Sequence, residues 1–563
     1  IVDNGVGMDE KELEENLGTI ARSGTRRFIE AMAPEAKKDS NLIGQFGVGF
    51  YSAYMVADRV DVTSRRAGKP AFRWSSDGKG EYTIEPVEKF EPFPAATGDG
   101  SSADGTGPAT EVLVHFNDEG EEFLSRWKLE DILKRYSNHI AYPIHLVSTE
   151  TDYNEKGESQ GEKQKDEQVN AATALWRRNK AELKDEDYKA FYKSFAEEAG
   201  DRDGEPLLWM HTKAEGTLEY TTLFYIPSKA PFDLYRADYR PGVKLYVKRV
   251  FITDDEKELL PVYLRFVRGV IDSEDLPLNV SREILQQNRV MTNIRTASVK
   301  KILGELADLS KANPDKYAAF VGQFNRPLKE GLYSDFANRE ALLGLVRWKS
   351  TAVEGWTSFA DYKSRMKEGQ KAIYYISGGE EERLRKSPLL EMYRKEGIEV
   401  LVCADEIDEL VLSALGPFEG TEIKSVNRSG SEADFGETKK EGDAGADAGT
   451  AVEKAKKALG DAVKDVRISK RLAESPACVV VDSDDPSLQF RELMKQLGGG
   501  DLPDVKPILE LNPEHALVKR LAAADEAEAE ALAKVLLGQA LLVEGAPLAD
   551  PVDFASRLNR LIR

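Results

Sequence analysis

Residues 41–54, NLIGQFGVGFYSAY, put three glycines, Gly44, Gly47 and Gly49, within six positions, interleaved with Phe46, Val48 and Phe50. Glycine opens backbone conformations with φ > 0 and lets the main chain come close to a ligand. The following FYSAYMV reads as a helix start. A glycine turn that opens a helix offers unpaired N–H groups and the positive end of the helix dipole, which suits a phosphate chain. An ordinary tight turn has the same look, so the upstream residues matter. Ile1-Val-Asp-Asn-Gly-Val-Gly-Met8 ends a strand at Asp3 and turns sharply at Gly5 and Gly7. A carboxylate held there can accept a hydrogen bond from an exocyclic amine such as adenine N6. The alternative is an Asx-turn, common for Asp-Asn-Gly. Between these elements NLGTIARSGT (16–25), with Gly18 and Gly24, reads as hinged, as a lid over a nucleotide would be.

Taken in order, IVDNGVGM, NLGTIARSGT and IGQFGVGFYSAYMVAD closely resemble the ATP-binding domain of the 90-kDa heat-shock chaperones, the bacterial type most of all. The resemblance continues through YSNHIAYPIHL, ALWRRNK, YIPSKAPFDLY and GVKLYVKRVFI. It runs on through LRFVRGVIDSEDLPLNVSREILQQN, RMKEGQKAIYYISG and KDVRISKRL to LNPEHALVKRL, nearly the whole chain. One departure stands out. The sequence begins at Ile1 inside the family's nucleotide pocket. The family's preceding helix carries a glutamate that activates water and an asparagine that holds Mg²⁺, and no residue here takes either role. The expectation is an ATPase truncated at its amino terminus and inactive alone, with no metal ligand of its own.

Size and composition set the outer bounds. A chain of 563 residues holds roughly three or four domains. Its net charge of −21 argues against a broad nucleic-acid surface. Cys403 and Cys478, far apart, fit a reducing compartment. No run approaches the ~18 apolar residues of a membrane span. The five histidines (115, 139, 145, 211 and 515) show no metal-ligand spacing.

Along the chain, 56–64 and 72–84 alternate like antiparallel strands. Residues 94–110 form a small-residue loop before the strand 111–116. A helix over 121–136 and a strand at 144–147 close the first domain. Residues 150–168 are charged and poor in apolar residues, and read as a flexible linker. Strands are expected at 220–226, 243–252, 372–377 and 399–403, with a core helix stripe at Val299, Ile302, Leu303, Leu306 and Leu309. In the loop 273–283, Ser281 caps a helix that starts with Arg282. A cation at a helix start opposes the dipole, so Arg282 makes better sense reaching for an anion than in a surface ion pair. Residues 427–450 are nearly free of apolar residues and read as a loop. Apolar faces at 532–543 and 554–562 must bury against something.

The resemblance implies a multidomain α+β and α/β architecture. Residues 1–148 form a Bergerat-type ATP-binding α/β sandwich, joined by a linker (149–169) to an α/β middle domain (170–426). A loop (427–450) then leads to a smaller α+β dimerisation domain (451–563). The implied nucleotide contacts are Asp3, Gly7, Met8, Asn16, Arg22, Gln45, Gly47, Val48, Gly49, Phe50 and Thr110. At Thr110 the family's preceding glycine is Ala109. Arg282 would reach the γ-phosphate, assisted by Gln286. Core packing is the default for Leu488, Phe490, Leu493 and Met494, but the family uses this segment to touch client proteins. The implied cofactors are ATP and Mg²⁺. The implied partners are client proteins, a second copy and co-chaperones, in the cytoplasm. Two other classes stay open: a DNA-acting ATPase of the same fold superfamily, and a holdase that works without nucleotide.

Overall fold

The computed structural model describes residues 1–19, 47–91, 107–153, 159–198, 204–276, 289–431, 446–496 and 505–562. The chain divides into two compact units. One comprises Ile1–Pro227, Pro231–Leu260 and Val267–Ser298; the other comprises Ser228–Ala230, Pro261–Phe266 and Val299–Arg563.

The first unit opens with an antiparallel sheet of β1 (Val2–Asp3), β2 (Ala57–Arg65), β3 (Ala71–Ser76), β4 (Tyr82–Val87) and β5 (Ala109–Phe116), ordered β1-β5-β2-β3-β4. Period-two alternation sends Val60, Val62, Trp74, Val112 and Val114 to one core. Helix α1 (Glu10–Leu17) covers that core with Leu13 and Leu17. Its start is a capping box: Asp9 accepts from the Glu12 N–H, and Glu12 accepts from the Asp9 N–H, both at 3.0 Å. Gly18 ends α1, and a Cβ there would fall 2.9 Å from the Tyr82 ring, so close packing accounts for this glycine.

Several expected elements take a different form. The segment after the glycine turn, Gly49–Met55, is 3₁₀ rather than α. The stretch 72–84 holds parts of two strands, β3 and β4, parted by Gly78 and Gly80 at positive φ. The helix expected over 121–136 breaks at Ser125 (ψ 123°) into a 3₁₀ segment, Asp118–Leu124, and α2 (Arg126–Ser137). The expected linker 149–169 is a ribbon instead: β6 (His145–Tyr153) pairs antiparallel with β7 (Ser159–Gln168). A two-stranded ladder satisfies its inner backbone groups without an apolar face, which is why composition hid it. Arg126 of α2 pairs with Glu167 of the ribbon.

A second sheet in this unit joins β8 (Pro206–Ala214), β9 (Tyr220–Pro227), β10 (Gly242–Val247), β11 (Val250–Thr253) and β12 (Arg268–Ser273), ordered β11-β10-β12-β9-β8. Helix α3 (Asp185–Glu198) packs Tyr188, Tyr192 and Phe195 against it. The β10–β11 turn holds Lys248 and Arg249 at φ 52° and 66°, conformations that usually call for glycine or asparagine. Buried Asp272 takes up the slack: its Oδ1 accepts the Arg249 N–H at 3.1 Å and its Oδ2 accepts the Trp176 indole N–H at 2.8 Å.

In the second unit, β13 (Lys349–Ser350), β14 (Ala372–Ser377), β15 (Val400–Cys403) and β16 (Glu422–Ser425) order as β13-β15-β14-β16. The central β14, AIYYIS, is buried along its whole length and parallel to both neighbours, as a two-sided core strand must be. A second sheet, β17 (Asp465–Ile468), β19 (Ile508–Leu511) and β18 (Ala477–Val480), packs under helices α4 (Ala446–Leu459), Ala516–Ala523 and α6 (Glu526–Glu544). The expected loop 427–450 is in part ordered: Asn427 accepts the Val481 N–H, and α4 starts within it at Ala446. Helix α5 (Leu488–Gln496) rests Leu488 on the core, while Phe490 and Met494 are half-buried. Nothing described bears on the Leu493 side chain. Helix α7 (Pro551–Ile562) approaches α6 where Gly538 leaves room for Phe554. It exposes Val552, Leu558 and Ile562. Among the described residues, no helix is long and apolar enough to cross a membrane.

Candidate nucleotide site

The register of the first sheet assembles the site. Asp3 on β1 lies opposite Thr110 on β5, and Thr110 lies opposite Ser64 on β2. Residues directly opposite in a ladder share a face, so Asp3, Thr110 and Ser64 form a row across three strands. Val62 and Val112, two residues along their strands, continue that face into the core that also takes in Met8 and Phe50. The row is the polar end of an otherwise apolar surface.

The glycine turn is seated on this row by a close approach. Gly7 has φ 66°, and a Cβ there would fall 1.9 Å from the Arg65 carbonyl oxygen. The approach lets the next residue, Met8, donate its N–H to Ser64 Oγ at 2.8 Å. Ser64, wholly buried, lies 2.8 Å from Thr110 Oγ1 and donates to the Ala109 carbonyl at 3.2 Å. Arg65 braces the far side, donating to the Gly107 and Phe90 carbonyls.

Asp3 is exposed, and its Oδ1 accepts the Gly5 N–H at 2.9 Å. The Asx-turn alternative is therefore real, and it coexists with a carboxylate placed beside Thr110. Asn16 lies half-buried on the last turn of α1. Tyr51 donates its hydroxyl to the Leu17 carbonyl at 2.8 Å and so ties α1 to the glycine turn. Gly47 has φ 66° and needs to be glycine for that reason. A Cβ at Gly49 would meet no described atom within 4 Å, so no described neighbour demands its small size. Val48 precedes the 3₁₀ segment, and Phe50 packs edge-on against Trp74 (5.7 Å between centroids).

The hydrogen bond and charge of Lys69 hold the Asp9 carboxyl below its ordinary range, with help from the Glu12 N–H. Arg66 pairs with Glu12 in the same way. These ion pairs lock the start of α1, two residues after Gly7.

Sequence reasoning missed Ser64 and the capping box of α1. The D-x-x-E spacing of Asp9 and Glu12 was a usable signal for the box. Ser64 had none, because its partners come from cross-strand register. Arg22, Gln45, Arg282 and Gln286 lie outside the described residues. Among the described residues, no cluster of three or more His, Cys, Asp or Glu side chains is arranged to hold a metal ion.

Comparison with known proteins gives two family matches. The Hsp90 protein family model matches residues 150–563, and the histidine kinase-, DNA gyrase B- and HSP90-like ATPase model matches residues 1–90. The chaperone protein HtpG of Treponema denticola is 55% identical over 569 residues, covering 100% of this chain and 88% of the relative. That of Treponema pallidum is 51% identical, with the same coverage. That of Wolinella succinogenes is 52% identical, covering 100% of this chain and 87% of the relative.

Proposed function

Because the chain belongs to the Hsp90 family of ATP-dependent molecular chaperones, we propose that the Asp3–Thr110–Ser64 row is the floor of its adenine site and the engine of a nucleotide-driven clamp. The observation that carries this is the register that sets a carboxylate and a hydroxyl side by side at the end of an apolar sheet face, under a glycine turn.

In this reading the Asp3 carboxylate accepts a proton of the adenine 6-amino group. Thr110 and Met8 flank it, and Asn16 and Phe50 shape the walls. The backbone N–H groups from Gly47 to Phe50, with Gln45 and Arg22 nearby, take the phosphates. Arg282, assisted by Gln286, completes the γ-phosphate site, and its loss of contact on hydrolysis releases the closed state. A nucleotide can shift that equilibrium only by its differential affinity for the two states. Mg²⁺ would accompany the phosphates and offset their charge.

The chaperone acts as a homodimer on client proteins in the cytoplasm, with co-chaperones as further partners. The exposed Val552, Leu558 and Ile562 of α7 support a self-complementary interface. Leu488, Phe490, Leu493 and Met494 of α5 are the proposed client contacts, and the half-buried Phe490 and Met494 support that reading. The proposed domain limits are 1–148, 170–426 and 451–563; the ribbon, which begins at His145, takes the place of the first linker, and α4, which begins at Ala446, crosses the last limit.

Calorimetric titration of the full-length protein with ATP tests the site. Asp3→Asn is expected to weaken binding roughly 10- to 100-fold, the value of a hydrogen bond to a charged group. Unchanged affinity in this variant would rule out Asp3 as the adenine acceptor.

A further inference from the structure

We propose that Ser64 is a positioning residue that fixes the direction of the Thr110 hydroxyl and so makes the pocket prefer a 6-amino purine over a 6-keto purine. The proposal rests on the adenine-site reading above and adds a selectivity device to it.

The argument is one of hydrogen-bonding valence. A serine hydroxyl has one proton to give and two lone pairs to receive. Among the described residues, Ser64 Oγ has three neighbours within hydrogen-bonding reach. The Met8 N–H (2.8 Å) can only donate, and the Ala109 carbonyl (3.2 Å) can only accept. The third, Thr110 Oγ1 (2.8 Å), can do either. Only one assignment makes all three contacts hydrogen bonds at once. Ser64 accepts from Met8, gives its proton to Ala109, and must therefore accept the proton of Thr110. The opposite choice would set the Ser64 lone pairs against those of the carbonyl, inside a site where Ser64 is 0% and Thr110 8% exposed. Burial makes an unmade hydrogen bond costly there.

With its proton committed to Ser64, Thr110 has only lone pairs left to offer. Asp3, its neighbour in the row, is an acceptor as well. Two acceptors side by side match an amino group, which has two protons to give. They repel a carbonyl at the same position, which has none. Gly7 is part of the device: its close approach to Arg65 is what lets the Met8 N–H fill one of the Ser64 lone pairs.

The test is calorimetric titration of the full-length protein with ADP and with inosine diphosphate, which carries a 6-keto group. The wild type is expected to favour ADP. Ser64→Ala frees the Thr110 proton to turn outward, and the ADP-to-inosine-diphosphate affinity ratio should fall about tenfold. Ser64→Thr keeps the hydroxyl and should keep the ratio. Thr110→Val should lower the ratio by itself, and Ser64→Ala should add nothing further in that background. A Ser64→Ala protein with a lower melting temperature but the wild-type ratio overturns the relay. So does loss of the ratio in Ser64→Thr, the variant that carries the test should Ser64→Ala not fold. A wild type that binds neither nucleotide defeats the adenine-site reading instead.

Discussion

The Cβ that any residue other than glycine would carry at position 7 falls 1.9 Å from the carbonyl oxygen of Arg65. The contact is with main chain at the end of the central strand β2, held between β3 and β5, and the φ of 66° disfavours a side chain on its own account. Gly7→Ala is therefore expected to destabilise the first unit by more than about 1–2 kcal/mol and to weaken ADP binding by lifting Met8 off Ser64. Denaturant unfolding and calorimetry read the two effects. Wild-type values in both would show that the turn has room to move.

In the proposed function Arg282 serves the γ-phosphate, not the adenine. Arg282→Ala should slow steady-state phosphate release about ten- to a hundredfold while ADP affinity stays within a factor of about three. That is less than the ~10³–10⁵ of a GTPase arginine finger, because part of its proposed role is to hold the closed state. Unchanged phosphate release defeats the assignment.

In the second unit, buried Lys329 lies 2.7 Å from both Asp405 and Asp408, and Asp408 also accepts the Trp348 indole N–H at 3.2 Å. Removing one partner of such a pair strands the other charge. Lys329→Met should cost roughly 3–5 kcal/mol. Lys329→Met with Asp408→Asn should recover part of that loss, since the fully buried one of the two stranded carboxylates is gone and Asp405 is partly exposed. Urea denaturation followed by tryptophan fluorescence measures both. A double variant no more stable than the single one contradicts the stranded-charge explanation.

Glu544 gives a pH signature. Its carboxylate accepts from Ser387 (2.9 Å) and Asn427 (3.4 Å), its backbone carbonyl accepts from Gln489, and Arg383 and Arg471 lie nearby. Burial outweighs these partners and pushes its pKa up to about 7. The folded state thus keeps a proton that the unfolded chain releases near pH 4.5, so this group costs stability as pH rises from about 4.5 to 7 and costs most above 7. Glu544→Gln removes the cost. Its stability relative to wild type should grow by up to roughly 3 kcal/mol between pH 4.5 and pH 8. Denaturation curves at the two pH values decide, and a constant difference contradicts the assignment.

What could be read from sequence follows from which interactions are local. The strands at 220–227 and 372–377 were plain because their apolar runs reflect burial on both faces. The glycine turn and Asp3 were plain because backbone freedom and turn chemistry are properties of a few adjacent residues. The charged ribbon of β6 and β7 was not, since backbone pairing leaves no trace in an exposed strand's composition. The 3₁₀ form of Gly49–Met55 was hidden too, because α and 3₁₀ segments of that length share one apolar pattern. Ser64 was least legible of all. Its role exists only once β2 and β5 are in register and Gly7 has come within reach, contacts that span 46 and 56 positions.

Asp272 also bears on the order of folding events. The turn at Lys248 and Arg249 is uphill until that carboxylate reaches it, 23 residues away, and the carboxylate is not fully engaged until Trp176 arrives from 96 residues upstream. Closing so long a loop carries its entropic cost before the indole contact forms. The β10–β11 hairpin is therefore a poor nucleus. It should gain lasting protection from solvent exchange only when the distant tryptophan docks, late and together with the rest of its sheet.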